Sequence, residues 1–366
     1  MALEYTAWLE YGLIDSETLT GRVLTDSEAA RLVGRLNDAL AQGGIDAAIA
    51  DSQPRVRDYE ILRQEFLAEG LFQPNLRHVF YRIFEVVAMY FAAVQLVWNG
   101  WWWLGAFVGG IAQGRCGWLQ HEGGHYSLTG NIKLDRHLQM AIYGVGCGMS
   151  GCYWRNQHNK HHATPQKLGA DPDLQTLPLI AFHKIIGKKG NKLWLMMQAP
   201  LFFLGPICSL VAWGWQFVQH PNHALRVHNY MELFWMAVRY MLWHQTFGYM
   251  GLGASLRLYA WYVCVGSTYI FINFAVSHTH KDVVPKTKHI SWSLYSANHT
   301  TNCSNNFLVN WWMAYLNFQI EHHLFPSMPQ YNHPKISPRV KALFEKHGVE
   351  YDQRPYLECM RVTYLN

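Results

Sequence analysis

Charge is scarce in this sequence. Asp, Glu, Lys and Arg make up 15% of its 366 residues, well below the roughly 25% usual for a soluble domain. The net formal charge is only +5, too mild to point to a nucleic-acid partner. No Cys-x-x-Cys occurs. The seven cysteines (Cys116, Cys147, Cys152, Cys208, Cys264, Cys303, Cys359) are scattered, which argues against a disulfide framework and for buried thiols facing a reducing compartment. The N-terminus is polar and acidic and lacks the basic and apolar regions of a cleavable signal peptide. No internal repeat or low-complexity tract is present.

What the chain has instead is apolar surface and histidine. Half of its residues are hydrophobic, 15% are aromatic, and there are 16 Trp and 20 His. Residues 79–98 and 101–119 are two largely apolar runs separated by Asn99-Gly100. About 20 helical residues cross a ~30 Å hydrocarbon core, so the pair reads as a transmembrane hairpin. Trp101, Trp102 and Trp103 stand at its turn, where interfacial aromatics are favoured. Arg82, Glu85 and Arg115 are the charges within it. Residues 137–152 are apolar but short and read as re-entrant or interfacial. Three more apolar stretches follow, Leu195–Val218, Met231–Gly251 and Ser255–Val276. The middle one carries Arg239 and His244 and is the candidate to lie in the interface. Lys184, Lys188, Lys189 and Lys192 place the preceding loop in the cytoplasm, because cationic short loops favour that side.

Residues 1–75 read as a soluble helical segment. Thr25-Asp26-Ser27-Glu28 fits a capping box before an amphipathic stretch, Ala29–Ala41, and a second helix is expected over Asp58–Leu71. A membrane domain is expected over 76–326 and a polar cytosolic tail over 327–366.

Three clusters carry the chemistry: His121-Glu122-Gly123-Gly124-His125, His158-Asn159-Lys160-His161-His162 and Gln319-Ile320-Glu321-His322-His323. Residues at i, i+3 and i+4 share one helix face, so each cluster presents two or three metal-binding side chains to one side. Each lies just beyond an apolar segment. Seven imidazoles and one amide exceed the three or four protein ligands of a tetrahedral zinc and suit two metal ions. Imidazole favours Fe, Zn, Cu or Ni. The first cluster also matches H-E-x-x-H, in which Glu122 would be the general base of a zinc protease. That reading leaves the second and third clusters without a purpose.

The sequence resembles the front-end fatty acyl desaturases. The likeness rests on the three boxes, the third beginning with Gln319, and on the runs Trp118–His125, Tyr153–His162, Asp171-Pro-Asp173, Ser277–His280 and Asn317–Pro326. It covers roughly residues 60–355. It implies an all-α integral membrane protein with about four transmembrane helices, interfacial helices and a cytosolic helical cap holding a diiron site. The implied ligands of the two Fe ions are His121, His125, His158, His161, His162, His278, Gln319, His322 and His323. His280 and His299 are weaker candidates. The resemblance makes Asp171 and Asp173 partners that hold ligand imidazoles in one tautomer, and the same role is preferred for Glu122.

The implied activity is an oxygen-dependent oxidation that inserts a cis double bond, Δ6 or Δ5, into polyunsaturated C18 or C20 acyl chains. Electrons would come from cytochrome b5 and NADH-cytochrome b5 reductase. The substrate would be an acyl lipid or acyl-CoA, and the setting the endoplasmic reticulum membrane with the active site in the cytosol. No His-Pro-Gly-Gly haem motif occurs, so the chain is expected to be without an N-terminal cytochrome b5 domain. Arg155, Lys160 and Lys167 are candidates to hold the head group. A sphingoid-base desaturase or lipid hydroxylase would use the same metal site; an intramembrane zinc metalloprotease is the alternative of another class. Asn298-His-Thr300 and Asn302-Cys-Ser304 are formal glycosylation sequons that the cytosolic placement predicts to be unmodified.

Overall fold

The computed structural model describes residues 54–366 except 175, 188–190 and 286–297. The capping box at Thr25–Glu28 and the stretch 29–41 lie outside the described residues, as do Lys188 and Lys189.

Helix α1 (Pro54–Ala68) buries Leu62 and Phe66. Helix α2 (Leu76–Trp98) begins at Asn75, whose side chain accepts the N–H groups of Arg77 and His78 and so satisfies two donors with no partner inside the helix. Gly100, in the left-handed region at φ +85°, reverses the chain as only glycine does cheaply. Helix α3 (Trp102–Gly124) then returns beside α2 and is buried along most of its length. On α2, Leu76, Phe80, Phe84, Val87 and Phe91 are exposed at spacings of three and four, which forms one apolar outward stripe.

Helix α4 (Ile132–Cys147) takes in most of the segment expected to be re-entrant. Gly148, at φ +71°, closes it, and Ser150 caps α5 (Gly151–Ala163) by accepting the Tyr153 N–H at 3.0 Å. Helix α6 (Lys192–Phe203) is followed by α7 (Pro206–Gly214), a π turn (Trp215–Gln219) and α8 (His220–Arg226). The run Pro206–Arg226 is bent by 89° from α6. Helix α9 (Tyr230–Phe247) leads to α10 (Leu252–Ala275).

Helix α10 packs closely on α3. A Cβ at Gly110 would stand 2.7 Å from the Tyr262 carbonyl oxygen and 2.7 Å from the Val265 Cβ. Glycine alone admits this approach.

Among the described residues two helices, α2 and α10, are long and apolar enough to cross a membrane, or three if α6 and the bent run count as one span. The second arm of the expected hairpin, α3, is not among them. Its C-terminal half carries Gln113, Arg115, Gln120, His121 and Glu122, all buried, and these lower its apolarity.

Beyond α10 the chain forms a cap. Strand β1 (Asn302–Cys303) pairs in parallel with β2 (Gln353–Arg354). Helices α11 (Phe307–Trp312), α12 (Gln319–Leu324), α13 (His333–Lys346) and α14 (Tyr356–Leu365) complete it. Residues 327–366, expected to be a tail, fold onto the third histidine cluster. Met328, Ile336, Val340 and Phe344 share a core with Ile320 of the third box, with Leu324 and Phe325 just after it, and with Leu62 and Phe66 of α1.

Candidate metal centre

Four segments converge at the junction of membrane helices and cap. The last turn of α3 carries His121 and His125. Helix α5 carries His158, His161 and His162, and α12 carries Gln319, His322 and His323. His278 stands in the turn after α10. The eight imidazoles fall into two groups. In one, His121, His125, His158, His162 and His322 each offer a ring nitrogen within 4.8 Å of all the others. In the other, His161, His278 and His323 do the same. The groups adjoin, with the His162 and His323 rings stacked at 4.2 Å. Gln319, almost fully buried, lies beside His278.

The donor set fits metal ions. Nε2 of His158 is 3.0 Å from Nε2 of both His121 and His162. Buried polar atoms ordinarily find partners, yet Nε2 of His125, both ring nitrogens of His322 and Nδ1 of His323 are buried without a hydrogen bond. So many inward-facing nitrogen atoms without donors or acceptors are costly in an empty core and are what a cation would satisfy. No cysteine joins either group.

A second layer orients these rings. Asp171 lies 3.1 Å from His161 Nδ1, and Asp173 lies 3.3 Å from the same atom. Asp171 is itself held by the Gln166 and Asp173 N–H groups at 2.7 and 2.9 Å. Burial alone would push the His161 imidazole down; the two carboxylates outweigh it and lift it to about 9. His278 Nδ1 faces the His299 carbonyl at 3.1 Å, which leaves its Nε2 for the cluster. His299 takes part through that carbonyl, and His280 turns away to Thr301 Oγ1 at 3.0 Å; neither belongs to the two groups. Glu122 accepts the Gln330 backbone N–H at 3.1 Å and, among the described residues, makes no hydrogen bond to an imidazole. Trp154 stacks on His158 at 4.2 Å, and Phe274 stands 6.3 Å from His121.

Several participants were not singled out from the sequence. Asn302, met there only as a sequon, is fully buried. Its Oδ1 accepts the Ile320 N–H at 2.9 Å and its Nδ2 donates to Glu321 at 2.7 Å, so it pins α12. Tyr351, which accepts from the same Asn302 amide at 2.7 Å, donates to the other Glu321 carboxylate oxygen at 2.5 Å. The Gln330 amide meets His121 Nδ1 at 2.6 Å. Of the proposed head-group cations, Arg155 is buried and spends its guanidinium on Gln139 Oε1.

Residues 63–355 match a family model described as fatty acid desaturase. The chain belongs to the fatty acid desaturase family. It is 55% identical over 316 residues to an acyl-lipid (8-3)-desaturase of Rebecca salina, an alignment that takes in 85% of this chain and 74% of that protein. It is 45% identical over 322 residues to a Thraustochytrium sp protein of the same name, covering 85% and 73%. It is 29% identical over 319 residues to fatty acid desaturase 3 of Bos taurus, covering 83% and 71%. These relatives agree with the front-end group to which Gln319 pointed. This desaturase is therefore an oxidoreductase, and its histidine groups are of a kind that binds metal. The zinc protease reading falls away: five imidazoles in one group exceed what a tetrahedral zinc takes.

Proposed function

We propose that this desaturase inserts a cis double bond at carbon 5 of a polyunsaturated acyl lipid. The observation that carries the chemistry is the pair of adjoining groups, five imidazoles beside three, which calls for two metal ions. The position rests on the name of the two relatives, acyl-lipid (8-3)-desaturase, read as a new bond three carbons nearer the carboxyl end than one at carbon 8. The substrate class, acyl lipid rather than acyl-CoA, comes from the same name.

His121, His125, His158, His162 and His322 would hold one iron, and His161, His278 and His323 with Gln319 the other. Two irons there supply an O2-dependent oxidation of adjacent unactivated CH2 groups, which no side-chain acid or base can perform. The protein's own residues do the rest. Asp171 and Asp173 receive the Nδ1–H of His161, and the His299 carbonyl receives that of His278, so each presents Nε2 inward. Glu122 holds the Gln330 segment against the first box. Trp154 and Phe274 wall the imidazoles and keep water from them. Fixing which carbon stands at the metals is the remaining task, and position alone determines which bond reacts.

In this reading α2, α3, the pair formed by α6 and the bent run, and α10 cross the membrane, giving four spans. The cap then lies in the cytosol at the endoplasmic reticulum, where cytochrome b5 and its NADH-dependent reductase deliver electrons. Asn298, exposed, should carry no glycan; Asn302 is too buried to accept one.

The test is gas chromatography–mass spectrometry of lipids from yeast expressing the chain. The cells are fed C18 and C20 polyunsaturated acids, with and without extra cytochrome b5. The expected result is a new double bond at carbon 5, enhanced by cytochrome b5 and abolished by His158→Ala. A bond at carbon 6 would correct the position alone. A hydroxyl product or an altered sphingoid base would replace the reading.

A further inference from the structure

The two ring nitrogens of His121 have different surroundings. Nε2 points into the five-imidazole group, 3.0 Å from His158 Nε2. Nδ1 points outward onto the side-chain amide of Gln330, with Gln330 Nε2 at 2.6 Å. Gln330 is almost fully buried, and its backbone N–H is spent on Glu122, the neighbour of His121 in the chain. The residue is thus tied by its main chain to the same turn of α3 that its side chain touches.

With the amide nitrogen against Nδ1, two things follow. The single proton of a neutral imidazole is driven onto Nε2, the atom that faces the other rings. The amide oxygen, Gln330 Oε1, is left buried without a hydrogen bond. A ring that gives Nε2 to a cation instead carries its proton on Nδ1 and donates it outward. Half a turn of the Gln330 amide brings Oε1 to the place where Nε2 stands and accepts that proton. The same turn moves the N–H2 into a place that holds no competing donor.

His161 and His278 already have this arrangement, through Asp171 and the His299 carbonyl. We infer that Gln330 is the positioning residue for His121: its amide oxygen accepts the Nδ1–H hydrogen bond, holds the ring in the tautomer that offers Nε2, and so retains metal in the five-imidazole group. This rests on the metal-centre reading under Proposed function.

The experiment uses the full chain in lipid nanodiscs and measures iron per chain and its rate of removal by a strong chelator. Gln330→Leu, which cannot accept a proton, should release iron on the order of 10–100 times faster than wild type, the usual cost of losing such an outer partner. Its helical circular dichroism should be unchanged. Gln330→Glu, whose carboxylate accepts the same proton, should stay near the wild-type rate. Should Gln330→Leu fail to fold, Gln330→Met, of similar length without an accepting oxygen, takes its place. Release from the Leu or Met variant at the wild-type rate would overturn the inference, and so would Gln330→Glu releasing as fast as they do. Wild-type protein that binds no iron at all would overturn the metal-centre reading and this inference together.

Discussion

Helices α2 and α3 lie side by side as the arms of one hairpin, yet their surfaces differ. Helix α2 shows lipid a stripe of Phe80, Phe84, Val87 and Phe91, with Phe84 71% exposed. Helix α3 exposes Trp102, Trp103, Leu104 and Phe107 in its first turns and is buried from Gly109 to its end. It is sunk between α2, α4 and α10, its glycines admit close neighbours, and its last turn carries two imidazoles into the centre. Outward residues of a membrane helix need only be apolar; inward ones must match specific partners. The apolarity of a sequence therefore marks the outer arm well and the inner arm poorly, and it is the inner arm that carries imidazoles of the candidate centre.

The comparison can be broken from the α3 side first. Gly110→Leu should have the largest effect. The added side chain meets a backbone carbonyl of α10 that cannot move aside, so the cost should exceed the ~1–3 kcal/mol usual for overpacking. Size-exclusion chromatography in detergent should show loss of the folded species; a stable, monodisperse variant would mean that α3 and α10 are not so tightly apposed.

Next comes the clasp between the two arms. Arg115, fully buried, reaches Glu85 of α2 with Nε at 2.9 Å and donates to the Trp311 carbonyl at 3.0 Å. Arg115→Ala should cost about 3 kcal/mol, the lower end for breaking a buried pair, because Arg82 and Trp311 Nε1 remain near Glu85. Thermal unfolding in detergent reads this, and an unchanged midpoint would show the clasp to be dispensable.

The smallest effect belongs to the outer face. Phe84→Ala should change stability by no more than about 0.5 kcal/mol and leave product formation unaltered in the yeast assay. A large loss there would mean that the stripe docks on another protein rather than on lipid.

The centre was legible in the sequence to an unusual extent, and for a local reason. His121 and His125, or His158 and His162, are one helical turn apart, so helix geometry alone puts them on one face. His278 has no such partner and came only through the family resemblance. Gln330, Asn302, Glu321 and Tyr351 had no periodic signal at all. Gln330 is 209 residues from His121, and nothing local to either reveals the contact. The boundaries fared likewise. The stretch 327–366, expected to be a tail, contributes four of the nine buried residues of the core that backs the third box, because the apolar residues of α13 face α1 and α12 rather than one another.

By itself the sequence determined the imidazoles and amide of the three boxes, their spacing within each box and the membrane character of the outer helices, since these depend on helix period and composition. Tertiary structure decided how eight imidazoles divide into a group of five and a group of three. It also decided which histidines stay outside and which amide, carboxylate or carbonyl turns each ring. Those choices depend on how four distant segments meet, and that geometry is set by close packing across the whole bundle.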